Sequence, residues 1–600
     1  MPKDSRITTF SSRNMTKTSN NLRRLEWWER QQLERQGCFA ADWDNVMVGE
    51  RVDLDALRHV EFAGKVVLTR LDRAERPDAR ICHTYLCDVQ MGANPVIERV
   101  GEIRGLRIGA DVTLKRDALI TMRPEAPCGM GVEVAVLDET GTRPAWIYPG
   151  ISAQMGALMA RLPHQSEERL KPLVMDYIDS LTYDFDLGDG VVITDCGAIT
   201  DVRVWPGVTI EGALRLDNGS VINNAPQSAT VLAHVGPGCI AENFIIEDGV
   251  LDTGASAYNS YIGQGAVLGK GFTSHDSLFF ANSTMENGEA CAVLAGPYSV
   301  SVHKSTLLIG CVTSFMNAGS ATNQSNHMYK LGPVHWGVLQ RGVKTSSNSY
   351  LMHGAKIGAF SLLMGDHKTH PDSSEFPFSY LFGDEKGSTV VVPAMMLRSC
   401  GLLRDEQKWP KRDKRVKSRL PLHDRIDFPV LNPHTVSHIL KALDTIDKLL
   451  MRPADDDRFV RYKGMKFSRA SLERARMIYG LAIYKYLYTT LGESPIPERK
   501  EVDKEPHRWI DLCGQLVVCE DIERVFMAES LKEAEHVLDD AQKAFAERER
   551  RWIGERFGDY WRERSHRFAL EAERFDEMVD EDRRKYREDL RAENEMLRLV

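Results

Sequence analysis

Histidines are concentrated in one part of this 600-residue sequence, and they are the residues best suited to chemistry. Eight of the 17 lie between residues 234 and 370, among polar segments at 302–306 and 317–330. A histidine can take a proton from an acceptor group, and polar neighbours can stabilise the charge that develops. We therefore predict His303 or His327 as the general base of an enzyme.

The same segments supply candidates for substrate binding. We predict that Lys304 and Lys330 bind phosphate and that Asn323 and Asn326 position the acceptor. Two further candidates for phosphate binding follow in the sequence, Arg341 and Lys344. Ammonium and guanidinium groups suit this role because they donate charge-assisted hydrogen bonds to phosphate oxygens. The alternative is that these cations form a solvated edge of the strands.

A six-residue repeat indicates the elements that position these side chains. Over residues 190–275 an aliphatic residue recurs every six positions, usually before a small residue, as at Val202, Val208 and Leu214. Three such hexads complete one triangular coil. A weaker copy covers residues 59–120, and the hairpins and longer alternating strands of a β-sandwich are scarce. We predict a mainly β fold, a left-handed parallel β-helix with a helical insertion and an α-helical C-terminal region.

Composition shifts and helix signals divide the sequence into seven predicted parts. They are a disordered tail (1–24), an N-terminal helical cap (25–58), a first β-helical segment (59–150), a helical insertion (151–187), the main β-helix with the site (188–400), a linker (401–430) and an α-helical region (431–600). Ser152 and Ser166 are predicted N-caps of two helices in the insertion. Further helices are predicted at about 433–452, 468–491 and 520–600, the last continuing as one long amphipathic helix from Ala541.

Composition also argues against several classes of partner. The 77 basic and 86 acidic residues give a net charge of −9, so neither nucleic acid nor an anionic membrane is expected as a partner. The 11 cysteines form no CxxC pair, which argues against a disulfide framework or a thiolate zinc site. No apolar run approaches the roughly 20 residues of a membrane helix, and the basic N-terminal tail lacks the apolar core of a secretory signal. We expect a cytoplasmic protein.

Residues 303–307 and 326–329 resemble the acetyltransferase domain of the bifunctional enzyme that makes UDP-N-acetylglucosamine, a member of the hexapeptide-repeat acyltransferase superfamily. In that domain a lysine-rich strand end leads to an Asn-His-Leu-x-Tyr segment, similar to Asn-His-Met-Tyr at 326–329. The place of the family's catalytic histidine is taken here by residues 292–297, which contain none. Most of the chain is also similar to a family of large bacterial proteins of unknown function, through segments such as 325–333 and 376–381.

The resemblance implies acyl transfer to a sugar or nucleotide-sugar acceptor, with acetyl-CoA or another acyl-CoA as donor. It also implies a homo-oligomer, preferably a trimer, with sites between subunits. A related branch of the superfamily, the γ-class carbonic anhydrases, binds zinc through three histidines from two subunits. The alternative function is therefore a zinc-dependent hydrolase or lyase, with His335, His353, His367 and His370 as candidate ligands. A non-catalytic β-helix scaffold is the third possibility.

Overall fold

The computed structural model describes residues 22–225, 233–325, 335–453, 459–492, 494–498 and 507–598. The chain forms two compact units, one of residues 1–128 and 182–223 and the other of residues 129–181 and 224–600. Residues 151–181 of the predicted helical insertion therefore belong to the second unit, and residues 182–187 belong to the first.

The first unit contains a ladder of short parallel strands and an N-terminal helix. The helix Trp27–Arg35 is followed by Gly37, whose φ of 78° suits the predicted helix stop. Two single-turn 3₁₀ helices follow, Trp43–Asn45 and Leu54–Ala56. The strands are Arg23–Arg24, Phe39–Ala40, Val46–Val48, Leu57–Arg70, Arg80–Ala93, Val96–Glu98, Glu102–Arg104, Arg107–Ile108, Thr113–Lys115, Leu119–Thr121, Val192–Thr194, Ala198–Val204, Thr209–Glu211 and Arg215–Ile222.

Parallel pairing in this unit repeats at a short interval. Ala198 pairs with Arg215, which lies 17 residues later, and also with Leu119 on its other side. The strands before residue 129 and those after residue 181 therefore pair in one ladder, although residues 129–181 separate them in the sequence. The aliphatic residues between these pairs, such as Ile199 and Leu216, are buried, which accounts for the six-residue spacing of the sequence.

The second unit contains a longer parallel ladder, followed by helices. Its ladder and edge strands are His234–Val235, Ile240–Glu247, Val250–Leu251, Ser256–Ile262, Val267–Gly269, Thr273–Phe279, Thr284–Glu286, Glu289–Ala295, Val300–Ser301, Leu307–Thr313, Asn323–Ser325, Gly337–Leu339, Lys344–Thr345, Tyr350–Met352, Lys356–Ile357, Leu362–Met364, Asp366–His367, Tyr380–Gly383 and Thr389–Val392. Separate hairpins are Glu133–Ala135 with Pro144–Trp146 and Trp509–Leu512 with Gln515–Val518. A third hairpin, Phe459–Tyr462 with Met465–Ser468, extends the sheet, because Lys466 pairs with Val390 of the strand Thr389–Val392.

The register of this ladder is regular. Ile240, Ser256, Thr273, Glu289 and Leu307 pair in succession, so the chain returns to the same ladder after 16, 17, 16 and 18 residues. The residue after each of these is buried, whereas the pair partners themselves are half-buried or exposed. A large parallel sheet with one apolar face is therefore confirmed.

The helical insertion matches the prediction at one N-cap and differs at the other. Helix Ala153–Arg161 begins after Ser152, whose Oγ accepts a hydrogen bond from Met155 N. The predicted cap Ser166 is wrong, because helical structure already begins at Pro163, a residue favoured at the first helical position. It continues through the π-helical turn Ser166–Leu170 into helix Lys171–Ser180.

The segment predicted as a linker, 401–430, is not a solvated linker. It contains helices Cys400–Arg412 and Lys414–Lys417, after the 3₁₀ turn Met395–Arg398. Asp413 and Arg415 are buried as an ion pair at 2.8 Å, and Asn282 donates a hydrogen bond to Asp413. A buried charge pair of this kind holds the segment against the ladder, because separating it would leave an uncompensated charge.

The C-terminal region is helical, as predicted, but its last part is not one helix. Helices Pro433–Leu450 and Arg469–Leu491 agree with the predicted spans. The remainder comprises Cys519–Met527, Leu531–Lys543, Phe545–Arg556, Asp559–Arg562, the 3₁₀ turn Ser565–Arg567 and Phe568–Arg598. The helix Phe545–Arg556 ends at Phe557, which is fully buried together with Trp552. Across the described residues, no helix has the length and apolar character needed to span a bilayer.

Candidate active site

A loop from the hairpin Glu133–Ala135 and Pro144–Trp146 brings carboxylates to one face of the second unit's ladder. The backbone N–H of Leu137 donates a 2.8 Å hydrogen bond to the carbonyl of Ala292. The guanidinium of Arg143 lies 3.8 Å from the ring centre of Trp336, a cation–π contact that holds the other end of the loop. Both contacts fix residues 138–142 beside the ladder.

Asp138 and His335 form a pair in this place. Oδ1 of Asp138 lies 3.7 Å from Nδ1 of His335, and the His335 side chain is 25% exposed. The Asp138 carboxylate accepts hydrogen bonds from Thr140 N at 3.0 Å, Thr140 Oγ1 at 2.8 Å and Thr142 Oγ1. Burial acts to raise the pKa of Asp138, but these hydrogen bonds outweigh it and leave the pKa below its ordinary value. An ionised carboxylate therefore faces a partly accessible imidazole.

His353 lies next to this pair in a defined tautomer. Its Nε2 donates a 2.8 Å hydrogen bond to the carbonyl of Ile309, and its Nδ1 is buried without a hydrogen-bond partner among the described residues. Burial lowers the pKa of His353, so the ring is neutral and Nδ1 carries a lone pair. His370 Nδ1 binds the carbonyl oxygen of His353 and thereby supports its backbone.

A thiol completes this side of the site. Sγ of Cys291 lies 3.5 Å from Oε1 of Glu139. Burial, together with the Glu139 carboxylate, raises the pKa of the Cys291 thiol to about 12. Because the thiolate is the nucleophilic form, Cys291 is poorly suited to covalent catalysis. The groups present favour acid–base chemistry by a histidine.

An open cleft of about 560 Å³ lies on the same strands. We call it the Lys304 cleft; its lining includes Lys270, Thr273, Asn287, Glu289 and Lys304. Glu289 is two residues before Cys291 on the strand Glu289–Ala295, so both side chains are on one face, about 7 Å apart along the strand. The cleft and the His335–Asp138 pair therefore occupy the same side of the ladder.

The residues predicted as general base or substrate ligands lie in different environments. His303 is exposed at a turn beside Lys304, and Asn323 pairs with Leu307 on the next strand of the cleft's ladder. Arg341 is buried away from solvent, and Lys344 forms an ion pair with Asp405. The predicted residues Asn326, His327 and Lys330 lie outside the described residues.

The four predicted metal ligands do not form one cluster. His335 and His353 are close to each other, whereas His367 points into the apolar side of the ladder and contacts Thr389 Oγ1 at 2.9 Å. Burial lowers the pKa of His367 to about 4. No group of three histidine, cysteine or carboxylate side chains able to hold a metal ion occurs within the described ranges.

Sequence reasoning missed the carboxylates of the site. Asp138, Glu139 and Glu289 occur in no recognisable motif, and Asp138 is far from His335 along the chain. The one available signal was the polar turn Asp-Glu-Thr-Gly-Thr at 138–142, which is typical of a loop whose aspartate binds its own backbone.

The chain is similar to a family of proteins over most of its length. A family model described as a domain of unknown function (DUF4954) matches residues 22–450. This span includes the candidate site, and the match agrees with the predicted resemblance to a family of unknown function. No curated protein matches the chain.

Proposed function

The chain belongs to the DUF4954 family, whose description assigns no reaction, and we propose that it transfers an acyl group to a sugar or nucleotide-sugar acceptor. The observation that carries this proposal is the His335–Asp138 pair: an ionised carboxylate beside a partly exposed imidazole. At the 3.7 Å between Oδ1 of Asp138 and Nδ1 of His335, the carboxylate stabilises by its charge the imidazolium that forms when the ring takes a proton.

In the proposed reaction, His335 takes the proton of an acceptor hydroxyl or amine, and the acceptor atom attacks the thioester carbonyl of acetyl-CoA or another acyl-CoA. The carbon–sulfur bond then breaks, and coenzyme A leaves as a thiol with the proton that His335 returns to its sulfur. The donor is inferred from the resemblance to hexapeptide-repeat acyltransferases.

His335 replaces His303 as the preferred base. His303 is exposed, and no carboxylate forms an ion pair with it in the described part of the chain. His327 stays a second candidate, because the resemblance to the acetyltransferase domain rests on it.

The finer fold proposal is that both ladders wind as left-handed parallel β-helices. It is supported by the 16–18-residue interval and by residues of positive φ at the matching positions Asn243, Asn259, Asp276, Ala292 and Gly310. Left-handed backbone at each coil is expected where a flat strand turns a corner. We also propose a homotrimer, on the basis of the resemblance to hexapeptide-repeat acyltransferases. Sedimentation equilibrium of the purified protein tests it.

A zinc-dependent hydrolase or lyase is the second candidate. It is favoured by the lone pair of His353 Nδ1 near His335, because a neutral imidazole is a common zinc ligand. Metal analysis of the purified protein separates the two: about one zinc per chain favours the hydrolase, and its absence favours acyl transfer.

The test of acyl transfer measures thiol release from acetyl-CoA with a panel of sugars, sugar phosphates and nucleotide-sugars. We expect His335→Gln to lower kcat/KM about 10²–10⁴-fold, the usual contribution of a general base, and Asp138→Asn to lower it less. His303→Ala is the matched control and should leave the rate unchanged. Full activity of His335→Gln would assign the base elsewhere, and His327→Ala then identifies whether His327 is that base.

A further inference from the structure

We propose that the Lys304 cleft binds a phosphorylated sugar, with the phosphate on Lys304 and the sugar hydroxyls on Glu289 and Asn287. This inference deepens the proposed function, on which it rests, by naming the class of acceptor.

The two lysines of the cleft differ in how far their charge is already neutralised. Nζ of Lys270 lies 2.6 Å from Oε2 of Glu286, an ion pair at the rim of the cleft. Lys304 is exposed, and among the described residues no carboxylate lies within ion-pair distance of it. Lys304 is therefore the cation available to an anionic ligand, and a phosphate monoester is an anion of suitable size and charge.

The remaining polar groups suit hydroxyls better than a second phosphate. Glu289 is exposed at the cleft. When its carboxylate is ionised, it accepts hydrogen bonds but cannot donate them. A carboxylate repels phosphate but accepts from a pair of sugar hydroxyls. Asn287 is fixed by a 3.1 Å hydrogen bond from its Nδ2 to the carbonyl of Val302, and Thr273 adds a hydroxyl. The cleft thus combines a lysine without an ion-pair partner among the described residues and groups that bind hydroxyls.

The cleft lies on the same face of the ladder as the His335–Asp138 pair. Glu289 and Cys291 share one strand, and Cys291 contacts Glu139 of the loop that also carries Asp138. Glu289 therefore lies on the strand that leads towards the His335–Asp138 pair. A sugar held by its phosphate at Lys304 would extend along this face, with a hydroxyl or amine towards the base.

Isothermal titration calorimetry of the full chain tests the proposal. The probes are glucose 1-phosphate and N-acetylglucosamine 1-phosphate, each compared with the free sugar and with inorganic phosphate. We expect a sugar phosphate to bind more tightly than either part alone, and Lys304→Ala to weaken it at least tenfold. Glu289→Gln should weaken binding of the sugar phosphate without weakening that of inorganic phosphate, because it removes a group that accepts from hydroxyls and repels phosphate. Lys386→Ala, at an exposed lysine of another turn, is the control and should change nothing.

Several outcomes would overturn the proposal. They are equal binding by wild type and Lys304→Ala, equal affinity for inorganic phosphate and sugar phosphate, and no binding of either sugar phosphate at millimolar concentration. The same titration of His335→Gln separates this inference from the proposed function. If wild type binds the sugar phosphate but transfers no acyl group, the proposed function is refuted and the assignment of the cleft stands. If Lys304→Ala transfers acyl groups to phosphorylated sugars as well as wild type does, the assignment of the cleft is refuted and the proposed function stands.

Discussion

The Nε2 atom of His423 lies 3.0 Å from Oε1 of Glu247, and the pair joins the segment after helix Lys414–Lys417 to the ladder. The Glu247 carboxylate also accepts hydrogen bonds from Gly150 N at 2.7 Å, Asn224 Nδ2 at 2.9 Å and Tyr261 OH at 3.0 Å. With four donors on one buried carboxylate, the arrangement is fully satisfied and structural. It holds three distant parts of the second unit together.

This pair predicts a pH-dependent stability. Burial acts to lower the pKa of His423, but Glu247 outweighs it and raises the pKa to about 9 from the ordinary 6.5. Because the folded protein holds this proton more tightly than the unfolded chain, the stabilisation is complete below pH 6.5 and is lost as the pH rises through 9. It amounts to about 3 kcal/mol at most.

The measurement is the free energy of unfolding by urea between pH 6 and 10 for wild type and His423→Gln. The difference between the two should be largest at pH 6 and shrink towards pH 10. A difference that stays constant with pH would show that His423 carries no extra proton in the folded state.

Glycine at position 310 is predicted to be required by the active site. Its φ is 56°, and a Cβ there would lie 2.5 Å from the carbonyl oxygen of His335 and 2.8 Å from that of Leu137. Gly310→Ala should therefore displace the loop and the base, with loss of both stability and activity. Gly254 is the matched control, since its φ is 71° but a Cβ would have nothing within 4 Å. Gly254→Ala should cost only the backbone strain, about 1–2 kcal/mol, and keep activity. Equal effects of the two substitutions would contradict the crowding at Gly310.

The reactivity of Cys291 reports on its contact with Glu139. With its pKa at about 12, the thiol should be alkylated slowly by iodoacetamide at pH 8. Glu139→Gln removes a negative charge that disfavours the thiolate, so we expect severalfold faster alkylation of Cys291. Mass spectrometry gives the rate at each cysteine, and Cys82 in the first unit serves as the control. An unchanged rate at Cys291 would show that Glu139 does not face the thiol.

Arg341 is predicted to act in stability. Its guanidinium is buried, donates to the carbonyl of Asp427 and lies 5.1 Å from the ring centre of Phe315. Asp511 lies 3.9 Å away, so Arg341→Ala would leave that largely buried carboxylate without its cation. We expect a loss of about 3–5 kcal/mol, measured by urea unfolding. Arg404→Ala, at an exposed pair with Asp405, should cost less than about 1 kcal/mol. A small effect of Arg341→Ala would reopen the predicted role of Arg341 in binding.

The parallel ladder and several helices could be predicted because their causes are local. The hexad spacing reports which residues of each short strand face the apolar side, and the ladder register follows it. Ser152 caps its helix through a bond to Met155, three residues later. Ser166 failed as a cap because the nearby Pro163 starts the helix earlier, a competition between two local signals.

The sequence by itself determined the repeating strands, the concentration of histidines and the polar composition of the region that holds the site. Only the tertiary structure decided which residues meet there. Asp138 reaches His335 through the loop of the hairpin Glu133–Ala135 and Pro144–Trp146. Lys304 and Glu289 line one cleft because strands 16–18 residues apart pair side by side. It also removed Arg341 from the candidate surface, because the packing of distant segments buries it. Spacing along the chain reports on neighbours in one element, whereas these contacts depend on how separate elements pack.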